Sequence, residues 1–351
     1  MLAMACANTQ NKEVKTCKKF FSAADSENGG CYAGKVKSVE ATIYEAANKF
    51  GKKTKEKIGK YIDKFDNKGN IVEVCDYNFE GLRNKCIYKY DCKGNQIEYC
   101  YYNSEGSLIY KSILKYNDKG NKIEECGYGS DGSLKHKFTY KYDDKENKIE
   151  ECGYNSDNSL FFKDIYKYND KGKMIEYVRY NSDGSLNSKS IYKYDDKEND
   201  IEYCLYNSDG SLNSKSTYKY DDNGNNIEYC FYYSDSLYNK CIYRYDKGNQ
   251  IEVCCYNSNG SLIHKYTYRY DDKRNNIEKC EYTDDSLDYQ YIYKYDNKGN
   301  NIEQCVYNYD GSLLFKYIYK YDNKGNWIEM IEYNEAEIAK TITVREIEYY
   351  E

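Results

Sequence analysis

The chain has 351 residues, 48 of them tyrosine and none of them proline. Its 52 basic and 58 acidic residues are interleaved and give a net charge of -6. The chain thus has no basic tract that could bind the phosphates of a nucleic acid, and we expect no nucleic-acid partner. No stretch reaches the apolar length of a membrane span. Tyrosine scores as polar yet buries a large ring, so the composition indicates a folded protein.

Residues 1–31 have the polar composition of a tether. Leu2-Ala3-Met4-Ala5-Cys6 resembles the lipobox that ends a bacterial lipoprotein signal peptide, which implies a lipid anchor on Cys6. The rest of such a signal is missing from the first five residues, so either the natural start lies upstream or the match is accidental. We predict an outer-membrane or surface lipoprotein. A cytoplasmic location is the alternative, because many cysteines have no evident partner.

Residues 32–65 resemble a degenerate first repeat and are predicted to cap an array that occupies residues 66–333. Each unit spans 25 or 26 residues and carries one aromatic anchor. A fixed period of this size is typical of stacked units that share one core. The anchors are Phe65, Tyr90, Tyr116, Tyr142, Tyr168, Tyr194, Tyr220, Tyr245, Tyr270, Tyr295 and Tyr321.

Two turn motifs alternate with segments rich in Tyr, Ile and Thr, the composition of β-strands. Residues 322–326 (Asp-Asn-Lys-Gly-Asn) show the first motif, and residues 207–211 (Asn-Ser-Asp-Gly-Ser) show the second. Glycine in the fourth place predicts a type I turn closed by a left-handed residue. Eleven repeats therefore predict an all-β antiparallel meander of about twenty-two strands.

Loop type sets which side chains share a face of the sheet. The turns at 129–133 and 143–147 predict that Tyr140 faces Glu150 and shares an aromatic face with Cys152. Open sheets rarely exceed about ten strands, so we expect this sheet to coil into a spiral or tube-like solenoid with the aromatic face inward. A straight single layer is the alternative.

The C-terminal end of the array differs in sequence from its middle. Residues 334–351 alternate in character and predict a C-terminal capping strand. Trp327, the only tryptophan, is predicted to fill the last turn of the core.

Residues 319–326 (Tyr-Lys-Tyr-Asp-Asn-Lys-Gly-Asn) resemble the YD repeat of RHS-type proteins, and the resemblance covers residues 36–333. The ending at residues 324–329 (Lys-Gly-Asn-Trp-Ile-Glu) is similar to that of repeat lipoproteins of Bacteroidetes-type bacteria. The resemblance implies a spiralling β-sheet shell and carbohydrate binding. The usual arginine and second glycine of the YD motif are absent, and the period is longer.

A glutamate recurs at one place in every repeat, and the predicted register puts most of these glutamates on the aromatic face near tyrosine hydroxyls. Their spacing of roughly 9–10 Å suits the carboxylate pair of an inverting glycosidase, so a glycoside hydrolase is a remote alternative. A side chain present in every unit indicates a structural role, and we predict no catalytic residue. The predicted structural ladder includes Glu124, Glu150, Glu176, Glu202 and Glu228.

A cysteine recurs three residues after the repeated isoleucine. Val178 and Ile331 take the place of the cysteine in two units. The replacements indicate a small apolar side chain. Ladder neighbours at roughly 9–10 Å exceed the Cα separation of about 7 Å that a disulfide permits, so we expect reduced, packed thiols. With only two histidines and no Cys-x-x-Cys spacing, we predict no metal and no cofactor.

The function predicted from these features is a non-enzymatic, surface-anchored scaffold for binding or adhesion. Its partner is predicted to be a carbohydrate or another surface protein, with tyrosine rings stacking on the ligand. A purely structural stalk, or a shell that encloses another molecule, is the alternative. The candidate stacking residues are Tyr140, Tyr166, Tyr192, Tyr218, Tyr243, Tyr268 and Tyr293.

Overall fold

The computed structural model describes residues 32–49 and 52–351, which form twenty-four β-strands in one sheet. Within these two ranges, no helix is long and apolar enough to cross a membrane. The strands are β1 (Val36–Lys49), β2 (Lys52–Phe65), β3 (Ile71–Asn78), β4 (Gly81–Tyr90), β5 (Gln96–Tyr102), β6 (Leu108–Tyr116), β7 (Lys122–Gly129), β8 (Leu134–Tyr142), β9 (Lys148–Asn155), β10 (Leu160–Tyr168), β11 (Met174–Asn181), β12 (Leu186–Tyr194), β13 (Asp200–Tyr206), β14 (Leu212–Tyr220), β15 (Asn226–Tyr233), β16 (Ser236–Asp246), β17 (Asn249–Asn257), β18 (Leu262–Tyr270), β19 (Asn276–Thr283), β20 (Ser286–Tyr295), β21 (Asn301–Asn308), β22 (Leu313–Tyr321), β23 (Trp327–Tyr333) and β24 (Ala339–Tyr349).

The sheet closes into a barrel because its last strand pairs with its first. β24 lies antiparallel to β1, from Tyr349 opposite Val36 to Thr341 opposite Glu45. Each remaining pairing joins strands that are consecutive in the chain, for example β1 with β2 and β23 with β24. The all-β antiparallel prediction is confirmed. The predicted spiral or solenoid is wrong, since closure pairs the two backbone edges that an open coil would leave exposed.

The seam between the first and last strands is packed with apolar and aromatic side chains. Val39 and Phe65 are buried there at 3% and 6% exposure. The Arg345 guanidinium lies 3.2 Å from the centre of the Trp327 ring, and Trp327 also packs edge-on against Tyr319. The aromatic cluster therefore lies where the barrel closes.

Turns occupy both ends of the barrel because successive strands alternate in direction. We call the end formed by the turns from 66–70 to 322–326 the clasp rim. In a typical turn of this rim, Asp143 Oδ1 accepts the backbone N–H of Asn147 at 2.8 Å, and Oδ2 accepts the Asn147 amide at 2.9 Å. The Asp and Asn of the motif thus fasten the turn across its base.

We call the other end, formed by the turns from 78–81 to 334–338, the serine rim. Its type I turns close as predicted, with Gly132 at a φ of +76°. The backbone N–H and the hydroxyl of Ser133 both donate to Asp131 Oδ1, at 3.0 and 2.6 Å. The repeated serine therefore supports the turn.

All four 25-residue units have one turn of two residues instead of three; in one unit it is Phe79–Glu80, and in the other three both turn residues have positive φ. Ser234 and Asp235 both have positive φ, 44° and 66°, which is the type I′ geometry that suits a two-residue hairpin. The other two pairs are Lys247–Gly248 and Asp284–Asp285. The missing residue therefore comes from the turn and leaves the strands intact.

The observed strand pairing differs from the predicted one because each hairpin contains a register shift of the kind that a β-bulge produces. After its turn, Ile149 has no partner, so Glu150 pairs with Lys141 and Glu151 pairs with Tyr140. Successive residues point to opposite faces, so one extra residue reverses the sides. The predicted pairing of Tyr140 with Glu150 is wrong, and the repeated glutamate lies on the face opposite the tyrosines.

The anchor tyrosines brace these bulges. Tyr142 Oη donates to the backbone carbonyl of Lys122 at 2.7 Å, and Lys122 is the residue opposite the preceding anchor, Tyr116. A phenylalanine could not make this bond, which accounts for tyrosine at the anchor position. Among the described residues, the bond is made by Tyr90, Tyr116, Tyr142, Tyr168, Tyr194, Tyr220, Tyr245, Tyr270, Tyr295 and Tyr321.

The burial pattern assigns the tyrosine face to the lumen. Side chains crowd together on the concave side of a closed sheet and spread apart on the convex side. Burial raises the pKa of Tyr220 and Tyr268 on the tyrosine face to about 12, a larger shift than burial gives Tyr206 on the opposite face. Twenty-four strands at about 4.8 Å spacing give a backbone circumference of roughly 115 Å and a diameter of about 37 Å. A circular section of that diameter would accommodate a large ligand.

Candidate functional site

The side chains that change most between repeats lie on the lumen face. On the odd-numbered strands from β3 onward, the outer face repeats glutamate and cysteine with few exceptions. The lumen position between them runs Val74, Tyr99, Glu125, Glu151, Tyr177, Tyr203, Tyr229, Val253, Lys279, Gln304 and Met330. The lumen position after the cysteine runs Asp76, Tyr101, Gly127, Gly153, Arg179, Leu205, Phe231, Cys255, Glu281, Val306 and Glu332.

The repeated glutamates lie on the outer face, and most of them lie between two lysines of the flanking strands. Glu150 contacts Lys141 Nζ at 2.7 Å through one oxygen and Lys163 Nζ at 2.8 Å through the other. Hydrogen bonds from Lys141 and Lys163 lower the pKa of Glu150. A glutamate held in this way therefore joins three strands. The same arrangement occurs at Glu124, Glu176, Glu202 and Glu228.

Acid should weaken the barrel through these clamps. The lysines lower the folded-state pKa of Glu150 and Glu176, so the clamps stabilise the fold fully above the unfolded-state pKa of about 4.3. That stabilisation is lost as the pH falls through the lowered folded-state pKa. We expect the Tm measured by circular dichroism to drop steeply below about pH 4.

A variant with Glu150→Gln and Glu176→Gln provides the comparison for the acid experiment. It should melt lower than the unmodified chain at pH 7 and should lose less Tm on acidification, because two titrating clamps are gone. Identical Tm values for the two proteins from pH 2 to pH 7 would contradict the stabilising role of the clamps.

The tyrosines predicted to stack on a ligand form a belt around the lumen wall. They occupy one repeat position, two residues before each anchor. Tyr192 packs against Tyr203 with ring centres 5.1 Å apart, and Tyr218 packs against Tyr229 at 5.3 Å. Burial raises the pKa of Tyr268 to about 12, so its hydroxyl stays protonated. The belt consists of Tyr140, Tyr166, Tyr192, Tyr218, Tyr243, Tyr268 and Tyr293, all partly exposed.

Strands β7 and β9 add ion pairs to the lumen that sequence reasoning missed. Lys122 contacts Glu125 at 2.7 Å, and Lys148 contacts Glu151 at 2.6 Å. The Lys122 ammonium also lies 4.6 Å from the centre of the Tyr140 ring. The incorrect register hid these positions. The signal that could have found them is the change from tyrosine to glutamate in two neighbouring repeats.

A second lumen pair joins β10 to β11. Asp164 is 2% exposed and accepts two hydrogen bonds from Arg179, from Nε and from Nη2, each at 2.8 Å. This pairing raises the pKa of Arg179 above its ordinary value. A buried carboxylate requires such a partner, because water cannot solvate its charge.

The repeated cysteines lie on the outer face, so the predicted place of Cys152 on the aromatic face is wrong for the same reason as Glu150. Cys152 is 6% exposed, and burial raises the pKa of its thiol, which keeps it protonated and unreactive. The lipidation site predicted at Cys6 lies outside the described residues. In the part of the chain that the structure describes, no three His, Cys, Asp or Glu side chains form a metal-binding group.

The expectation of reduced thiols throughout is also wrong. Cys241 and Cys255 form a disulfide on the lumen face, with Cα atoms 4.1 Å apart. They lie directly opposite each other on β16 and β17, within disulfide reach. The distance argument applied to cysteines of the repeated ladder, and neither of these two belongs to that ladder.

No protein-family model and no curated protein matches this chain. Among solved structures, the Photorhabdus luminescens Tc holotoxin pore is 11% identical over 81% of this chain and 19% of its own, with a TM-score of 0.34. A porin-like protein from Bacteroides uniformis is 10% identical over 90% of this chain and 98% of its own, with a TM-score of 0.27.

These likenesses are remote. The chain spans about a fifth of the toxin chain that it matches. A second porin-like protein, from Bacteroides vulgatus, is 10% identical over 91% of this chain and 99% of its own, with a TM-score of 0.19. None of these three structures superposes closely on the chain, since each TM-score is below 0.5. They do not assign the chain to the RHS-type or lipoprotein families that residues 319–326 and 324–329 resemble.

Proposed function

We propose that this chain is a non-enzymatic binding scaffold that takes a carbohydrate into its lumen. The observation that carries the proposal is the confinement of repeat-to-repeat variation to the lumen face. Outer side chains such as Glu150 tie neighbouring strands together, so the same residue types recur in every unit. The lumen side chains do not form a repeated contact of this kind between strands. They present rings, carboxylates and amines to the barrel lumen.

The chemical groups of a carbohydrate match those that line the lumen. The apolar face of a sugar ring packs on an aromatic ring, while its hydroxyls both donate and accept hydrogen bonds. The tyrosine belt supplies rings with protonated hydroxyls, as at Tyr268. The pairs Lys122–Glu125 and Lys148–Glu151 supply additional donors and acceptors beside the belt.

The geometry of the repeated glutamates supports a role without catalysis. Two lysines hold each of the clamped carboxylates described above, and these carboxylates point away from the lumen. General acid–base chemistry requires a carboxyl group that can exchange a proton with substrate. A carboxylate held by two cations, as at Glu150, is poorly suited to that task.

We further propose that the scaffold works in the bacterial cell envelope, anchored through Cys6. The closed barrel is compatible with an envelope location. The Cys241–Cys255 disulfide favours an oxidising compartment, where such bonds persist. Surface labelling of intact cells tests this placement. Equal labelling of the unmodified chain and a Cys6→Ala variant would count against the anchor.

Replacing a belt tyrosine should weaken glycan binding. A glycan array identifies a bound oligosaccharide, and isothermal titration calorimetry then compares the variants. We expect Tyr192→Ala to lower affinity roughly threefold to tenfold, since an aromatic contact contributes about 0.5–1.5 kcal/mol beyond area burial. The matched control is Tyr206→Ala on the outer face, which should bind normally. Absence of binding on the array, or an equal loss in both variants, would refute the proposal.

A further inference from the structure

One part of the lumen wall carries a continuous strip of flat side chains. Tyr110 and His136 stack with ring centres 6.0 Å apart and planes inclined by 23°. His136 lies 5.2 Å from Phe138, and Phe138 lies 6.2 Å from Phe162. The Arg179 guanidinium covers Phe162 at 4.5 Å. We call these five side chains the aromatic strip, and it runs from β6 to β11.

Two glycines let the rings lean across the strands that separate them. Gly127 lies between Tyr110 and His136, and a Cβ atom added there would come within 2.5 Å of the His136 ring. A Cβ atom added at Gly153 would come equally close to Phe162. The other units carry larger side chains at this position. The strip is therefore peculiar to this part of the array and is not a product of the repeat.

The strip is held in place by polar contacts. Tyr110 Oη lies 3.2 Å from His136 Nε2. At the other end, Asp164 accepts hydrogen bonds from Nε and Nη2 along one edge of the Arg179 guanidinium, and the Arg179 side chain remains 40% exposed. Its remaining N–H groups are thus available on the lumen side. All four rings of the strip are partly exposed, so a ligand in the lumen can reach them.

The charges around the strip are balanced. Lys122 pairs with Glu125, Lys148 pairs with Glu151, and Arg179 pairs with Asp164. A charged ligand would compete with these pairs, since each cation already has its anion. A neutral ligand with many hydroxyls can bond to the outer edges of the pairs while they stay intact. The charge pattern thus favours an uncharged sugar.

We propose that the aromatic strip is the main subsite for a neutral oligosaccharide, which lies along Tyr110, His136, Phe138 and Phe162 with its hydroxyls directed at the flanking ion pairs. This inference rests on the proposed function and specifies its site and ligand class. Uronic-acid and sulfated sugars are excluded ligands on this view.

The test uses the full chain and titration calorimetry with cellohexaose, maltohexaose and laminarihexaose, together with a heparin hexasaccharide as the acidic probe. We expect at least one neutral hexasaccharide to bind more tightly than the acidic probe. Phe162→Ala should weaken that binding about tenfold, since it removes one ring of the strip and the surface on which Arg179 lies. Gly153→Ala should also weaken it, because the ring is kept but displaced.

Phe315→Ala is the matched control. Phe315 occupies the same repeat position as Phe162, six units further along a closed ring, and so lies on the opposite wall. The affinity of the Phe315→Ala variant for the hexasaccharide should lie within twofold of that of the unmodified chain. Thermal melts check that each variant is folded. Equal losses from Phe162→Ala and Phe315→Ala, or tighter binding of the heparin probe, would overturn the strip while leaving lumen binding in place. No binding of any sugar would overturn the proposed function itself.

Discussion

Replacing Val344 with proline should open the barrel. Val344 lies in β24 between Thr42 of β1 and Glu329 of β23, so it belongs to both ladders that complete the closure. Proline removes a backbone donor and distorts the neighbouring ladder. An acceptor left unpaired costs about 1–3 kcal/mol, and opening would expose two strand edges that can pair with other molecules.

We therefore expect Val344→Pro to lower the Tm by about 5 °C or more and to produce aggregates in size-exclusion chromatography. Glu335→Pro is the control from the same hairpin, since its position follows Asn334 in the turn, where proline is favoured. It should remain monomeric and melt normally. A Val344→Pro variant that matches this control would show that the pairing of β24 with β1 is dispensable.

Removing Arg179 alone should cost more than removing the whole Asp164–Arg179 pair. Asp164 is 2% exposed, and Arg179 supplies two of its hydrogen bonds. Loss of one partner leaves a buried charge without its counter-ion, which costs about 3–5 kcal/mol. Replacing both partners with residues that fit together avoids that penalty.

The chain provides its own template for the double replacement. Ser190 and Leu205 pair at the equivalent place two strands further on. We expect Arg179→Leu to lower the free energy of unfolding by about 3 kcal/mol or more, and Asp164→Ser combined with Arg179→Leu to recover most of that loss. Urea denaturation of both single variants and the double variant completes the cycle. Additive losses in the double variant would contradict the account.

Local sequence patterns predicted much of each hairpin. The Asp-x-x-Gly-Asn and Asn-Ser-Asp-Gly-Ser motifs predicted turns closed by left-handed residues, and Gly132 confirms the geometry. They did not reveal the bulge at Ile149, because an unpaired residue just inside a strand has the same composition as a paired one. That single residue moved Glu150 and Cys152 to the opposite face.

Closure and the lumen ion pairs were harder to predict for a different reason. The contact between β1 and β24 joins residues separated by about three hundred positions, and turn chemistry carries no information at that range. The Asp164–Arg179 pair depends on the same register that the bulges alter. The lumen site became visible only when the two faces were assigned correctly.

Because the sheet forms a ring of units with the same strand–turn pattern, gene duplication can change the barrel diameter in fixed steps. Gain or loss of one unit adds or removes two strands, which at about 4.8 Å per strand alters the diameter by roughly 3 Å. The short unit containing Ser234–Asp235 shows that the chain already tolerates small length changes confined to the turns. A descendant could thus fit a wider or narrower cargo by recombination between repeats, with no new side-chain chemistry.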